Sequence, residues 1–132
     1  MTRIMLIIGV LIVIALAVGF VNGNKNSAES STEKLTFADV SSEIDGGAIL
    51  YDVRSPEEYA DGHFEDATNF DVENMLAGSL PDVPKDKKIY VYCRSGNRSS
   101  QATSLLESAG FTDINDLGGL ADVQSIGGKL IK

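Results

Sequence analysis

Along the chain, apolar positions first run together and then alternate with polar ones at the spacing of strands and helices. From Ile4 to Val21 the stretch "IMLIIGVLIVIALAVGFV" has eighteen residues without a charged or strongly polar side chain. As a helix it measures about 27 Å, close to the thickness of a bilayer core. Residues 22–34, "NGNKNSAESSTEK", are small, polar and aperiodic, the pattern of a flexible tether. From residue 35 the pattern changes again. "LTF" (35–37) predicts a short strand, and "ADVSSEID" a helix stopped by Gly46-Gly47. "AILYDV" (48–53) has the length and composition of a strand. In "SPEEYADG", Ser55 caps, Pro56 takes the first helical position, Glu58 closes a capping box and Gly62 ends the helix.

The second half repeats the alternation. "TNFDV" (68–72) predicts a third strand, and "ENMLAGSL" a short helix before the loop "PDVPKDKK". "IYVYC" is the clearest strand, β-branched and aromatic throughout. "RSSQATSLLESAGF" places Ala102, Leu105, Leu106 and Ala109 at helical spacing with Gly110 as the stop. "DINDL" predicts a last strand, leading through Gly118-Gly119 into a closing helix, "LADVQSIGG". Strands that read as continuous apolar runs, each followed by a helix, imply a parallel sheet covered on both faces. The fold class is α/β, preceded by an N-terminal hydrophobic helix. Three segments follow: 1–21, a membrane anchor or signal sequence; 22–34, a linker; 35–132, the folded domain.

Charge adjusts this picture in two places. Arg3 precedes the apolar run, which favours a cytoplasmic start with the domain outside the cytoplasm. The length of the run favours an uncleaved, single-pass anchor; cleavage would give a secreted domain. Residues 35–132 hold 8 Lys plus Arg against 17 Asp plus Glu, a net charge of −9. Such a surface repels phosphate backbones, so nucleic acid is excluded as a partner, as is adhesion of the domain itself to anionic lipid.

Chemistry gathers in one stretch, "IYVYCRSGNRSS" (89–100), which holds the only cysteine. Ligands of open parallel sheets sit beyond the carboxyl ends of the strands, and Cys93 lies at that end of a central strand. The loop then turns directly into a helix, so its N–H groups and the helix dipole converge on an anion, most simply a thiolate. Thiols so placed fall from a pKa of about 8.5 to between roughly 3.5 and 7.5. Gly96 lets the backbone bend without a Cβ clash, and Arg94 and Arg98 add donors suited to an oxyanion.

"YCRSGNRS" resembles the active-site loop of the rhodanese-type sulfurtransferases. "LYDVRSPEEYADGHFEDATNFD" (50–71) is similar to that family's strand, D-x-R, acidic helix and "GH" block, and "DLGGLADV" (116–123) to its closing block. Phe64, Asp66 and Val123 depart from the usual residues at what look like packing or turn positions. The resemblance implies a single domain with a doubly wound parallel sheet and a catalytic Cys93. The backbone amides from Arg94 through Ser95, Gly96, Asn97 and Arg98 would hold the substrate anion, with Arg98 ahead of Arg94 as the orienting side chain. It places Asp52 and Arg54 on the D-x-R positions, either near substrate or as a structural ion pair. His63, the sole histidine, belongs to a turn and is better suited to a structural hydrogen bond than to base catalysis. The implied reaction moves the sulfane sulfur of thiosulfate to cyanide or a thiol through a Cys93 persulfide, without metal or organic cofactor.

Two rivals remain. A phosphatase or arsenate reductase needs Cys-x5-Arg, but the sixth residue after Cys93 is Ser99 and Arg98 is the fifth. A persulfide carrier or docking module, serving a protein partner, fits the same loop and the acidic surface.

Overall fold

Four parallel strands form the centre of the structure, a computed structural model that describes residues 33–132. They are β1 (Ile49–Asp52), β3 (Ala67–Asn69), β4 (Ile89–Tyr92) and β5 (Ile114–Asp116), in the order β3-β1-β4-β5. In register, Leu50 pairs with Tyr90 and Tyr51 with Val91, so β4 lies between β1 and β5. Successive side chains on a strand point to opposite faces. Tyr51, Val53, Ile89, Val91 and Cys93 therefore share one face, packed on α3 (Val72–Leu76) and α4 (Asn97–Ser108). Leu50, Tyr90 and Tyr92 share the other, with Phe37 and Val40 of α1 (Phe37–Asp45) and Val123 of α5 (Leu120–Ser125). This is the expected α/β sheet, parallel and covered on both faces. Each fully buried aliphatic side chain in these layers contributes about 1.5–3 kcal/mol.

The helix starts follow the local sequence closely. α2 (Pro56–Asp61) begins with Pro56, and Ser55 and Glu58 make the reciprocal capping bonds. At the other helix the expectation is corrected: "LTF" is no strand. Thr36 caps α1 in a capping box with Asp39, and Phe37 is the first helical residue. The Thr-x-x-Asp pattern satisfies two otherwise orphan N–H groups, and Phe37 gains a buried apolar partner in Phe64, with ring centroids 5.8 Å apart. The third strand begins one residue and ends three residues earlier than "TNFDV" (68–72) implies, and its end is early because Asp71 caps α3 and Val72 opens it.

A second, two-stranded sheet was not anticipated. β2 (His63–Phe64) pairs antiparallel with β6 (Leu130–Ile131), beyond the closing helix. Phe64 is buried and meets Tyr92 edge-on at 5.0 Å. Asp66, where a glycine is common in similar sequences, has φ +63, a left-handed conformation that Asp tolerates better than most residues.

Among the described residues no helix is long and apolar enough to cross a membrane. The expected span, residues 4–21, lies outside the described residues, as does nearly all of the 22–34 linker.

Candidate active site

Cys93 follows β4 directly, at the carboxyl edge of the sheet. The loop that receives it is fixed by the two glycines after β5. Gly118 O accepts the Cys93 N–H at 2.9 Å, and Leu120 N donates to Arg94 O at 3.1 Å. Ser95 and Gly119 form an isolated antiparallel bridge. A Cβ on Gly119 would stand 2.7 Å from Arg94 O and 2.9 Å from Ser95 Cα, so only glycine admits this approach. The paired glycines of the closing block thus act as a buttress for the cysteine loop. Gly96 caps α4 with φ +96, a conformation that favours glycine.

The sulfur lies inside this turn. Gly96 N donates to Cys93 Sγ at 3.0 Å, and Ser99 Oγ stands 3.6 Å from it. Burial is the largest single influence on the thiol and pushes its pKa up. The Ser99 hydroxyl, then the amides of Ser99, Gly96 and Ser95, together outweigh burial, and the thiol sits below its ordinary value. The expected convergence of amides is present. The sulfur is also fully covered: Cys93 has 0% of its surface exposed. Its other side packs in the cluster that holds Val53, Val91 and Ala102, so the sulfur faces the turn rather than solvent.

The remaining predicted residues fall into separate groups. Arg94, Ser95 and Asn97 are exposed on the rim of the loop. Arg98, the second residue of α4, gives both terminal nitrogens to Glu58, at 2.6 and 2.8 Å. Glu58 is the main reason its guanidinium is more basic than usual, against the pull of burial; the Cys93 charge adds less. The Glu58 carboxyl in turn is held down to about 2, first by the Arg98 hydrogen bonds.

Asp52 and Arg54 are not brought to the sulfur. Their ion pair is buried and points to the opposite face of the sheet from Cys93. Arg54 Nη2 donates to Asp52 at 2.6 Å and to Gly62 O at 2.7 Å, while Tyr92 Oη donates to Asp52 at 2.8 Å. Tyr92 Oη also accepts from Phe64 N, so the network ties the main sheet to β2. His63 stacks on Tyr59 at 3.9 Å and has Nδ1 3.0 Å from Tyr59 O, within its own turn.

Two residues at the site were missed by sequence reasoning. Ser99 was noted only as the sixth residue after Cys93, yet that count places it one helical turn past Ser95, where a side chain looks back at the loop. Glu58 was read only as a cap; nothing within its own segment shows that it also reaches across to α4.

This geometry is a thiolate cradle built from a loop, a helix start and a glycine buttress. A family model described as the Rhodanese-like domain matches residues 36–125. The chain belongs to the rhodanese-like family. The thiosulfate sulfurtransferase PspE of Escherichia coli (strain K12) is 37% identical over 75 residues, covering 54% of this chain and 70% of that protein. A sulfurtransferase of Allochromatium vinosum is 35% identical over 71 residues, covering 54% and 65%. Among solved structures, the Rhodanese_3 like domain of an Anabaena sp. protein is similar with a TM-score of 0.58 at 36% identity, covering 65% of this chain and 100% of that one. A rhodanese from E. coli, solved with anions, gives a TM-score of 0.53 at 32% identity, covering 65% and 99%.

Proposed function

We propose that Cys93 carries sulfur between a small anionic donor and a nucleophilic acceptor. The chain is a rhodanese-type sulfurtransferase. The observation that carries this reading is the sulfur itself, at a helix start with the Gly96 N–H 3.0 Å away and the Ser99 hydroxyl alongside. In the first half-reaction the Cys93 thiolate attacks the outer sulfur of thiosulfate. A new S–S bond forms, the bond from outer sulfur to sulfonate breaks, and its electron pair leaves with sulfite. Three negative charges enter and three remain, one on the persulfide and two on sulfite. The amides that hold the thiolate would also stabilise the negative charge of the persulfide. In the second half-reaction cyanide or a thiolate takes the outer sulfur and Cys93 regains its electron pair. Two half-reactions through one covalent intermediate give ping-pong kinetics.

Because Cys93 is covered, the donor reaches it only when the loop parts.

Residues 4–21 anchor the domain in the cell membrane in this reading, with the domain on the far side from the cytoplasm, or are cut to release it. The uninterrupted apolar run and the single preceding Arg3 support it. The acidic surface leaves room for a protein as acceptor.

Intact mass after incubation with thiosulfate tests the activity. The expected result is a gain of one sulfur atom by the parent protein and none by Cys93→Ser. No gain by the parent, or an equal gain by the variant, overturns it. Multiple turnovers with a small thiol distinguish an enzyme from a carrier that loads once.

A further inference from the structure

Glu58 carries two tasks that pull on one carboxylate. As the third residue of α2 it accepts from Ser55 N at 3.1 Å, completing the capping box. The same side chain reaches across to α4 and fills both terminal nitrogens of Arg98. Those two nitrogens form the end-on fork that a planar or tetrahedral oxyanion uses. Arg98 is therefore a cation beside Cys93 whose fork is already occupied by an anion. Arg94, next to Cys93 in the chain, is exposed, and its side chain makes no hydrogen bond or ion pair among the described residues. The site holds one committed guanidinium and one uncommitted one.

A dianion such as thiosulfate gains most from two cations, yet to engage the second it must displace a carboxylate that is covalently part of the wall and bound by two charge-assisted hydrogen bonds. A donor with one negative charge next to its sulfane sulfur needs only Arg94 and the loop amides. We infer that Glu58 is a positioning residue that sets the charge preference of the site, holding the Arg98 fork so that monoanionic sulfane donors, organic persulfides and thiosulfonates, are favoured over dianionic ones. This rests on the sulfurtransferase reading above and specifies the donor class. Thiosulfate remains a substrate, at a raised KM.

The test compares thiosulfate with benzenethiosulfonate, a monoanion, as donors to a saturating thiol, in the parent protein, Glu58→Gln and Ser55→Ala. Gln preserves the shape and the cap but not the charge; Ser55→Ala weakens the cap but leaves the ion pair. The expected result for Glu58→Gln is a fall in the thiosulfate KM of about three- to fivefold. The benzenethiosulfonate KM should move by less than about twofold, with kcat for both donors within about twofold and a steeper salt dependence for thiosulfate. Ser55→Ala should leave the ratio of the two KM values where it was. An unchanged ratio in Glu58→Gln overturns the inference, as does an equal change in Ser55→Ala. Should Glu58→Gln not fold, Glu58→Ala, which also removes the charge, is read in its place with the same expectations. A parent protein that gains sulfur on Cys93 while the ratio stays fixed overturns only the role of Glu58; a parent that gains none overturns the activity reading and this inference with it.

Discussion

Two carboxylate–guanidinium pairs stand near the carboxyl edge of the sheet with the same closest distance and different surroundings. In the pair of Asp52 and Arg54 the closest N···O distance is 2.6 Å, and the side chains are 0% and 5% exposed. The pair of Glu58 and Arg98 also closes to 2.6 Å, with 30% and 33% exposed. The first is enclosed by Tyr92 and the Gly62 carbonyl, every acceptor used, on the face of the sheet away from the sulfur. The second joins α2 to the start of α4, the helix that follows the cysteine loop, and is in reach of solvent. Distance alone makes them equivalent. Burial separates them: a desolvated pair locks a scaffold, because neither partner has water to return to, whereas a pair that is one-third exposed exchanges partners at modest cost.

The largest expected effect breaks the pairs one at a time. Asp52→Ala leaves Arg54 charged, buried and unpaired, and takes the acceptor from Tyr92; the expected loss is about 3–5 kcal/mol. Glu58→Ala loses a partly exposed pair and half of a capping box, about 1 kcal/mol in all. Urea unfolding of both variants measures the difference. Equal losses would show that burial does not distinguish the pairs and that both are structural.

The same contrast shows what was legible in the sequence. Elements and their order follow from patterns confined to one segment: apolar runs for β1 and β4, Ser55-Pro56 with Glu58 for α2, and Gly110 for the end of α4. The identity of Cys93 and the approach of its amides follow from a strand that runs straight into a helix. What the sequence does not display is pairing across segments. Residues 58 and 98 are 40 positions apart, and so are 52 and 92; no local pattern shows that one couple joins α2 to α4 and the other meets on the face of the sheet away from the sulfur. The D-x-R spacing left Asp52 and Arg54 open between substrate contact and scaffold, since strand alternation fixes the face only once β1 and β4 are in register. The covering of Cys93 and the β2–β6 ribbon were invisible for the same reason, each depending on contacts between distant parts of the chain. "LTF" was misread because its β-branched and aromatic residues outweighed the capping box that Thr36 and Asp39 announce.

A smaller effect isolates the sulfur from the cation beside it. Removing the Ser99 hydroxyl, which stands 3.6 Å from Cys93 Sγ and leads the influences that lower the thiol, leaves Arg98 untouched, and Ser99→Ala should raise the midpoint of Cys93 alkylation by iodoacetamide by about half to one pH unit. The parent midpoint should itself lie below the roughly 8.5 of a free thiol. An unchanged midpoint in Ser99→Ala would assign the ionised sulfur to the backbone amides alone. A parent midpoint at the ordinary value would mean that burial outweighs them.

The smallest effect comes from acid. The Glu58 carboxyl is near 2 in the folded protein and about 4.3 in an unfolded chain. A carboxyl depressed on folding binds fewer protons folded than unfolded, so its stabilising contribution is complete above about 4.3 and is lost as pH falls through that value toward 2. The stability difference between the parent and Glu58→Gln should therefore be level from neutrality to about pH 5 and shrink below about 4. Its size should stay under about 1 kcal/mol, because solvent screens a pair that is one-third exposed. Added salt should reduce it further, since ions reach both partners. The loss in Asp52→Ala should not respond to salt, because no ion reaches a pair that is wholly covered. Comparing the two variants by urea unfolding in low and high chloride reads both pairs in one experiment. A salt-independent loss in Glu58→Gln would place that pair with the scaffold and leave Arg98 unavailable to any donor.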